Sequence, residues 1–538
     1  MIGLHSQDDG FYLTLRDRRL LDHSRKHPLL ILGVAERRIV GHRNLPRIRS
    51  RLSSSKRTSA WKATETRHDF VEIEFDGLLR MAVQERDGIA HITFSCFDSS
   101  VNWLRIRLPG IPGETVFGGG ERFAGRNLKG SRIVLDSRAA VGGLRPTDPS
   151  LPSDATALID GRRIMRIVTG APVILDCRSQ HKLTVDCWSV PDELCLGLCT
   201  SVSDAAAGLN RAAGSSERSR SYPAWPLEGI SLSVRGGVEE ISRRVHSALE
   251  AGIHLGSILL RDWQGSQEGR NPASYGWIPD PRLYPALEDE AARFKHAGIR
   301  VLVTLAPRLS RDSALFSEAS ERGFLVKRSD GSDYLLGSTR SDALPDLWNP
   351  NAFMWIKDRI KTEILGRGLS GWVGDSWIDP PPDAVLYGDS DAVQHGNEFA
   401  GLWGRAGEDA IREAGAEGSI AIYPRPAWGR LSPMVSGTWS PWGSDRGRRP
   451  GCLTRGLFLG LTGNGPWHPE IRASGLAGDT GRDAFMRRVE AAAISPLMRI
   501  LDDEPYWTDL GLMSHLARMS RMWTLLAPYH GSVAVEFA

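Results

Sequence analysis

The sequence predicts an α/β protein, a (β/α)8 barrel preceded by an N-terminal antiparallel β-sandwich, and three observations carry that prediction. Residues 1–225 read as short stretches of period-two hydrophobicity broken by turn residues. From residue 226 onward, short apolar strands alternate with longer amphipathic segments, the pattern of a parallel sheet wrapped by helices. Polar and indole side chains recur immediately after those apolar strands. The 538 residues exceed what one compact core organises, so two domains are expected, 1–225 and 226–538.

In the N-terminal part the strand candidates are 11–15 (FYLTL), 29–32 (LLIL), 70–75 (FVEIEF), 89–94 (IAHITF) and 102–108 (NWLRIRL). Gly, Asp, Pro and Ser clusters separate them, and the polar run 53–57 (SSSKR) reads as a loop. In the second part the strand candidates are 257–260, 301–305, 371–373, 420–423, 434–436 and 457–461. Helix candidates lie between them at 238–251, 286–297, 352–365, 398–414 and 482–493. A run of about 300 residues of this kind suits a closed eight-fold barrel, whose chemistry sits at the C-terminal ends of its strands.

Reading those ends in order gives Arg261-Asp262-Trp263, then Pro307-Arg308, then Gly374-Asp375-Ser376-Trp377. Tyr423-Pro424-Arg425 follows, then the Trp439–Trp442 segment, then 463–470 (GNGPWHPE). Carboxylates, arginines, a histidine and indoles thus gather at one rim. Any one Asp after a strand is more often a turn former or helix cap. The joint recurrence points to a binding site.

Composition narrows the alternatives. With 67 basic against 64 acidic residues, the net charge of +3 creates no field that would draw the chain to nucleic acid or anionic lipid. No run of about 18 apolar residues spans a membrane, and the N-terminus lacks the pattern of a secretory signal, so a cytoplasmic location is expected. The six Cys, at 96, 177, 187, 195, 199 and 452, form no CxxC pair, and no His stands near Cys195 and Cys199 at zinc-site spacing. Neither an HExxH motif nor a phosphate-binding loop occurs, and Gly118-Gly119-Gly120 lies in the all-β region. No metal and no cofactor are therefore expected. Seventeen Trp against nine Tyr admit two readings, large cores or indoles stacked on sugar rings.

The motifs 117–123 (FGGGERF), 261–265 (RDWQG), 347–350 (LWNP), 371–375 (GWVGD), 463–470 and 495–499 (SPLMR) together resemble glycoside hydrolase family 31, in its sulfoquinovosidase-like branch. Their order is preserved over roughly residues 10–530. The resemblance implies a small-molecule carbohydrate as partner and a retaining reaction at an α-linked hexose derivative. A carboxylate attacks the anomeric carbon, while a second carboxyl about 5–5.5 Å away protonates the leaving oxygen. Asp375 matches the nucleophile. Asp262, Trp263, Arg425, His468 and Arg499 would shape the sugar subsite, with Trp372, Trp439 and Trp442 stacking on the ring. Glu121 would reach the barrel mouth from the β-domain.

Four departures qualify these implications. The family's acid–base Asp follows a Trp by three residues. If Trp439 is that Trp, Trp442 stands at the donor position, and an indole is no general acid; if Trp442 is, Asp445 is the donor. Without a donor, turnover of an unactivated glycoside would fall about 10²–10⁴-fold. The chain would then be a transglycosylase using activated donors, or a sugar-binding pseudoenzyme. Next, Glu470 replaces the Asp that usually follows His468 by two residues. The loop 265–277 is also short for sulfonate recognition, offering only Arg270, with Tyr275 or Trp277, to an anionic substituent. Finally, the chain ends at Ala538 soon after a last helix-like segment at 510–529, where relatives carry a further β-domain. A homo-oligomer or partner subunit covering that barrel surface is expected.

Overall fold

The computed structural model describes residues 1–40, 47–120, 123, 125–136, 139–141, 155–213, 223–265, 275–336, 342–374, 379–423, 438–441, 452–463, 467–471, 478–501 and 507–537. The N-terminal part is built of three sheets. A seven-stranded sheet around Trp103–Pro109 and an eight-stranded sheet around Ile89–Cys96 share one apolar core. Leu104 and Ile106 enter it from the first sheet, and Val71, Ile73, Val83 and Ile92 from the second. Phe70–Phe75 shows why: its residues alternate between half-buried and buried, so one face of the strand supplies the core. The pairings are antiparallel except that of Ala139–Val141 with Arg47–Arg57. Arg86 pairs directly with Ile89, and the intervening Asp87-Gly88 takes positive φ at both residues (51° and 81°), as a two-residue hairpin turn demands.

The polar run at 53–57, expected to be a loop, lies within the strand Arg47–Arg57, paired along its length with Leu30–Val40. Residues 51–57 are exposed. Their serines and cations report a solvated face, while the neighbouring strand still satisfies the backbone. The five thiols described here are free, and Cys177, Cys187, Cys195 and Cys199 are buried.

Eight parallel strands follow: β1 (Ile230–Val234), β2 (Leu255–Leu260), β3 (Arg300–Leu305), β4 (Gly371–Gly374), β5 (Ala421–Tyr423), β6 (Thr438–Pro441), β7 (Trp467–Ile471) and β8 (Arg499–Leu501). They neighbour one another in the order β5-β4-β3-β2-β1-β8-β7-β6, that of a cylinder opened between β5 and β6, where 424–437 lie outside the described residues. Helices follow β1 (Gly237–Glu250), β2 (Leu287–His296), β3 (Pro350–Ile360), β4 (Phe399–Glu413), β6 (Cys452–Leu461), β7 (Gly478–Ala492) and β8 (Leu510–Phe537). Alternate strand residues serve two cores. Ile258, Leu260, Val301, Val303 and Trp372 pack with the helices, whereas Leu259, Leu302, Val373, Ala421 and Tyr423 cluster on the opposite side, inside the cylinder.

The LWNP motif is a helix start. Asn349 caps the helix by accepting the N–H of Asn351, and Pro350 occupies a first-turn position that needs no donor. Two barrel expectations are corrected. The strand β1, ISLSV, was not foreseen; its serines break the continuous apolar run that marks a barrel strand. Residues 457–461, expected to be a strand, end the helix Cys452–Leu461. Phe458, Leu459 and Thr462 are buried while Leu453, Leu457 and Leu461 are exposed, a helical period that a short apolar run conceals. The expected strand at 434–436 falls outside the described residues.

Gly371 opens β4 at φ 139°, and a Cβ there would stand 1.9 Å from the carbonyl oxygen of Ala421 on β5. Gly371→Ala is predicted to cost about 2–4 kcal/mol in urea unfolding. Gly401→Ala, in the helix Phe399–Glu413 with open space around it, should leave stability unchanged or raise it by up to about 1 kcal/mol.

Candidate active site

The strand ends of the barrel present the expected residues in three different states. Asp262, just beyond β2, accepts from the Tyr284 hydroxyl at 2.5 Å and from the Gly236 N–H at 2.8 Å. Its carboxylate therefore braces the segment after β2 against the one after β1. Burial, and then the Asp262 charge, push the Tyr284 phenol well above its ordinary range, so it stays a donor. Asp262 was expected at the sugar; both its oxygens are engaged in this brace.

The indoles are corrected more firmly. Trp263 is fully enclosed and donates its Nε1–H to the Thr304 carbonyl at 2.7 Å. Trp277 is equally enclosed, donating to the Ala306 carbonyl at 3.1 Å and meeting Trp403 edge-on at 5.6 Å. Trp372 faces the helices, where a Cβ on Gly407 would come within 2.8 Å of its ring. None of the three offers a face to a pyranose. Among the described residues, Trp103, Trp263, Trp277, Trp372 and Trp523 serve core packing.

Glu470 and Arg499 are parallel neighbours on β7 and β8 and form an ion pair whose side chains are 5% and 0% exposed. At that burial they hold the barrel wall together, and breaking such a pair costs more than the pair contributes. Trp439 and His468 are backbone register partners on β6 and β7. Asp375, Asp445, Glu121, Arg270, Arg425 and Trp442 lie outside the described residues, Asp375 directly after the last residue of β4.

The structure adds a group that the sequence reading passed over. Arg308, beyond β3, pairs with Asp342 at 2.8 Å, both nearly buried, and lies over the Tyr275 ring at 5.0 Å. Ser310 donates to the same carboxylate at 3.0 Å. Arg308 was visible in the sequence as a strand-end cation; Asp342, 34 residues later, carried no signal of its own.

The segment that continues from Asp375 is held on several sides. Asp346 accepts from the Tyr387 N–H at 2.7 Å and the Trp348 N–H at 3.2 Å. Tyr334 donates its hydroxyl to Asp383 at 2.7 Å, and the Trp348 Nε1–H reaches Glu398 at 3.0 Å. From the N-terminal sheets, Arg37 donates to Asp391 at 2.8 Å, and buried Asp136 accepts from the Asn397 side chain at 3.1 Å. Val393 sits in an apolar cluster with Ile31, Ala35, Trp103 and Trp188. Gly170 makes the approach close enough that a Cβ would lie 2.4 Å from the Gln394 carbonyl.

Parallel strands in barrel order, with the chemistry-bearing residues beyond their C-terminal ends, define the class of (β/α)8 enzymes. Residues 223–468 match the family described as "Glycosyl hydrolases family 31 TIM-barrel domain". Residues 223–468 are thus a glycoside hydrolase family 31 barrel domain. The chain is 26% identical to a sulfoquinovosidase of Agrobacterium fabrum over 98% of this chain and 84% of that one, and 24% identical to a sulfoquinovosidase of Escherichia coli over 98% and 82%. Among solved structures, a family 31 sulfoquinovosidase from E. rectale superposes with a TM-score of 0.87 at 23% identity, covering 100% of this chain and 85% of that one. An α-xylosidase from a soil metagenome follows at 0.67 and 14%, covering 99% and 85%. Among the described residues no helix is long and apolar enough to cross a membrane.

Burial raises the Asp346 carboxyl to about 6, against the partial relief given by the N–H groups of Trp348 and Tyr387. Its unfolded value is about 3.9. The folded state thus binds the extra proton between about pH 4 and 6, and this group's contribution makes stability fall as pH rises through that window. The difference in melting temperature between the wild type and Asp346→Asn should accordingly change across pH 4–6 and stay flat above about 7. A flat difference throughout would show that the carboxyl does not titrate there.

Proposed function

We propose that this chain hydrolyses or transfers an α-linked hexose derivative by a retaining mechanism with Asp375 as nucleophile. The observation that carries the reading is the position of Asp375, the residue immediately after β4 in a family 31 barrel. A short carboxylate at a strand end is held by the sheet itself, and that fixed placement makes in-line attack on an anomeric carbon effective.

In this mechanism the Asp375 carboxylate displaces the aglycone from the anomeric carbon and forms a glycosyl ester. Water or an acceptor hydroxyl then attacks the same carbon and releases the carboxylate, with net retention. Asp445 serves as the acid–base group in one register of the motif; in the other, Trp442 occupies that position and only donors with good leaving groups react. His468 and Arg425 supply donors to the sugar hydroxyls, Trp439 lines the ring, and Arg270 and Glu121 flank the mouth.

The names of the two sulfoquinovosidase relatives support including a sulfoquinovoside among the substrates to test. The short loop 265–277 favours a hexose without that group.

The test uses nitrophenyl α-glycosides of glucose, xylose and sulfoquinovose, whose leaving group needs no proton. A nitrophenolate burst is expected with at least one of them, and Asp375→Asn should lower its rate at least about a thousandfold. Azide acceleration of the steady state marks a vacant acid–base position, as Trp442 predicts; absence of acceleration, with a rate loss in Asp445→Ala, marks Asp445 as the donor. An Asp375→Asn variant as fast as the wild type would overturn the reading. So would sugar binding with no turnover of any glycoside.

A further inference from the structure

Away from the barrel, three side chains of different donor chemistry meet on the eight-stranded N-terminal sheet. Cys195 and His91 are cross-strand partners, and Glu193 projects from the same strand as Cys195 two residues earlier, hence on the same face. The His91 Nδ1 lies 2.7 Å from a Glu193 carboxylate oxygen and 3.6 Å from the Cys195 sulfur. The ligand atoms of all three residues lie within 4.8 Å of one another. We propose that His91, Glu193 and Cys195 bind a single divalent ion of the zinc class, beside the last turn of the helix Val202–Ala212.

The geometry is close to what such an ion needs. Bonds of about 2.3 Å to sulfur and about 2.0 Å to nitrogen, opened to a tetrahedral angle, separate the two donors by about 3.5–3.6 Å. The sulfur-to-nitrogen distance here is 3.6 Å. Nitrogen and carboxylate oxygen must open from 2.7 Å to about 3.3 Å, a movement one Glu torsion supplies. One thiolate and one carboxylate neutralise a 2+ ion, the imidazole completes three protein ligands, and water takes the fourth position.

The surroundings are compatible with a cation. Cys195 points at the carbonyl oxygen of Ala212, 3.8 Å away in the helix's final turn, where the backbone dipoles present their negative end. Arg166, the cross-strand partner of Cys195 on its other side, directs its guanidinium to that same carbonyl at 2.9 Å and favours the thiolate. Cys195 is fully enclosed, whereas the His91 and Glu193 side chains are 16% and 27% exposed, so an ion arrives from their side. Burial holds the Cys195 thiol up at about 12, which excludes a reactive nucleophile. Metal binding displaces that proton to solvent. The ion would tie the strand Ile89–Cys96 to the strand Glu193–Leu198, a structural role independent of the glycosidase reading.

The full chain, stripped with a chelator and titrated with Co²⁺ alone, tests the proposal. One equivalent should bind with a thiolate-to-cobalt charge-transfer band that Zn²⁺ abolishes by displacement. Cys195→Ser should lose the band, and Glu193→Gln should weaken binding at least about tenfold, with circular dichroism confirming that each variant is folded. A band undiminished in Cys195→Ser overturns the assignment, as does cobalt bound without any charge-transfer band, which means an adventitious ion only. Should Cys195→Ser fail to fold, an unchanged cobalt affinity in the partly exposed Glu193→Gln overturns it equally.

Discussion

The barrel's working end depends on how the segment after β4 is held. Residues 379–398 leave the strand that carries Asp375 and are gripped by groups from two different parts of the chain. Asp346 and Trp348 hold them from the barrel side, and Arg37, Asp136 and the Ile31–Val393 cluster from the N-terminal sheets. A carboxylate that must meet an anomeric carbon in line tolerates little positional freedom. The N-terminal sheets accordingly help to hold the segment that continues from β4, and Gly170 marks the point where the two backbones approach too closely for any side chain.

The barrel itself keeps its two apolar compartments distinct. Trp372 looks like a sugar platform from its place on the strand that precedes Asp375, yet strand alternation turns it toward the helices while Val373 faces inward. The same rule puts Glu470 beside Arg499 in the barrel wall. Their mutual neutralisation makes the buried charge tolerable.

Periodicity and order were readable without coordinates; depth and facing were not. Four of the barrel strands, at 257–260, 301–305, 371–373 and 420–423, and the helices that follow the first three of them match the predicted segments within a few residues, because apolar runs and amphipathic stripes are local properties. β1 escaped because its serines interrupt the apolar signal, and 457–461 misled because four apolar residues and a glycine satisfy either period. At the site, the position of Asp375 after β4 follows from the motif, whereas the burial of Trp263 and the Arg308–Asp342 pair arise only from tertiary packing. His91 and Cys195 are a sharper instance: 104 residues apart, they meet through sheet register alone, so no spacing rule along the chain could link them.

The distribution of thiols has a practical side. Cys177 and Cys195 are enclosed and held at about 12, and Cys199 at about 11, so in the folded chain they react with alkylating reagents only when the surrounding sheet opens. Cys96 is only partly covered and labels without such opening. The N-terminal region therefore carries its own reporters of partial unfolding, and the order in which its cysteines become labelled would map which strands breathe first.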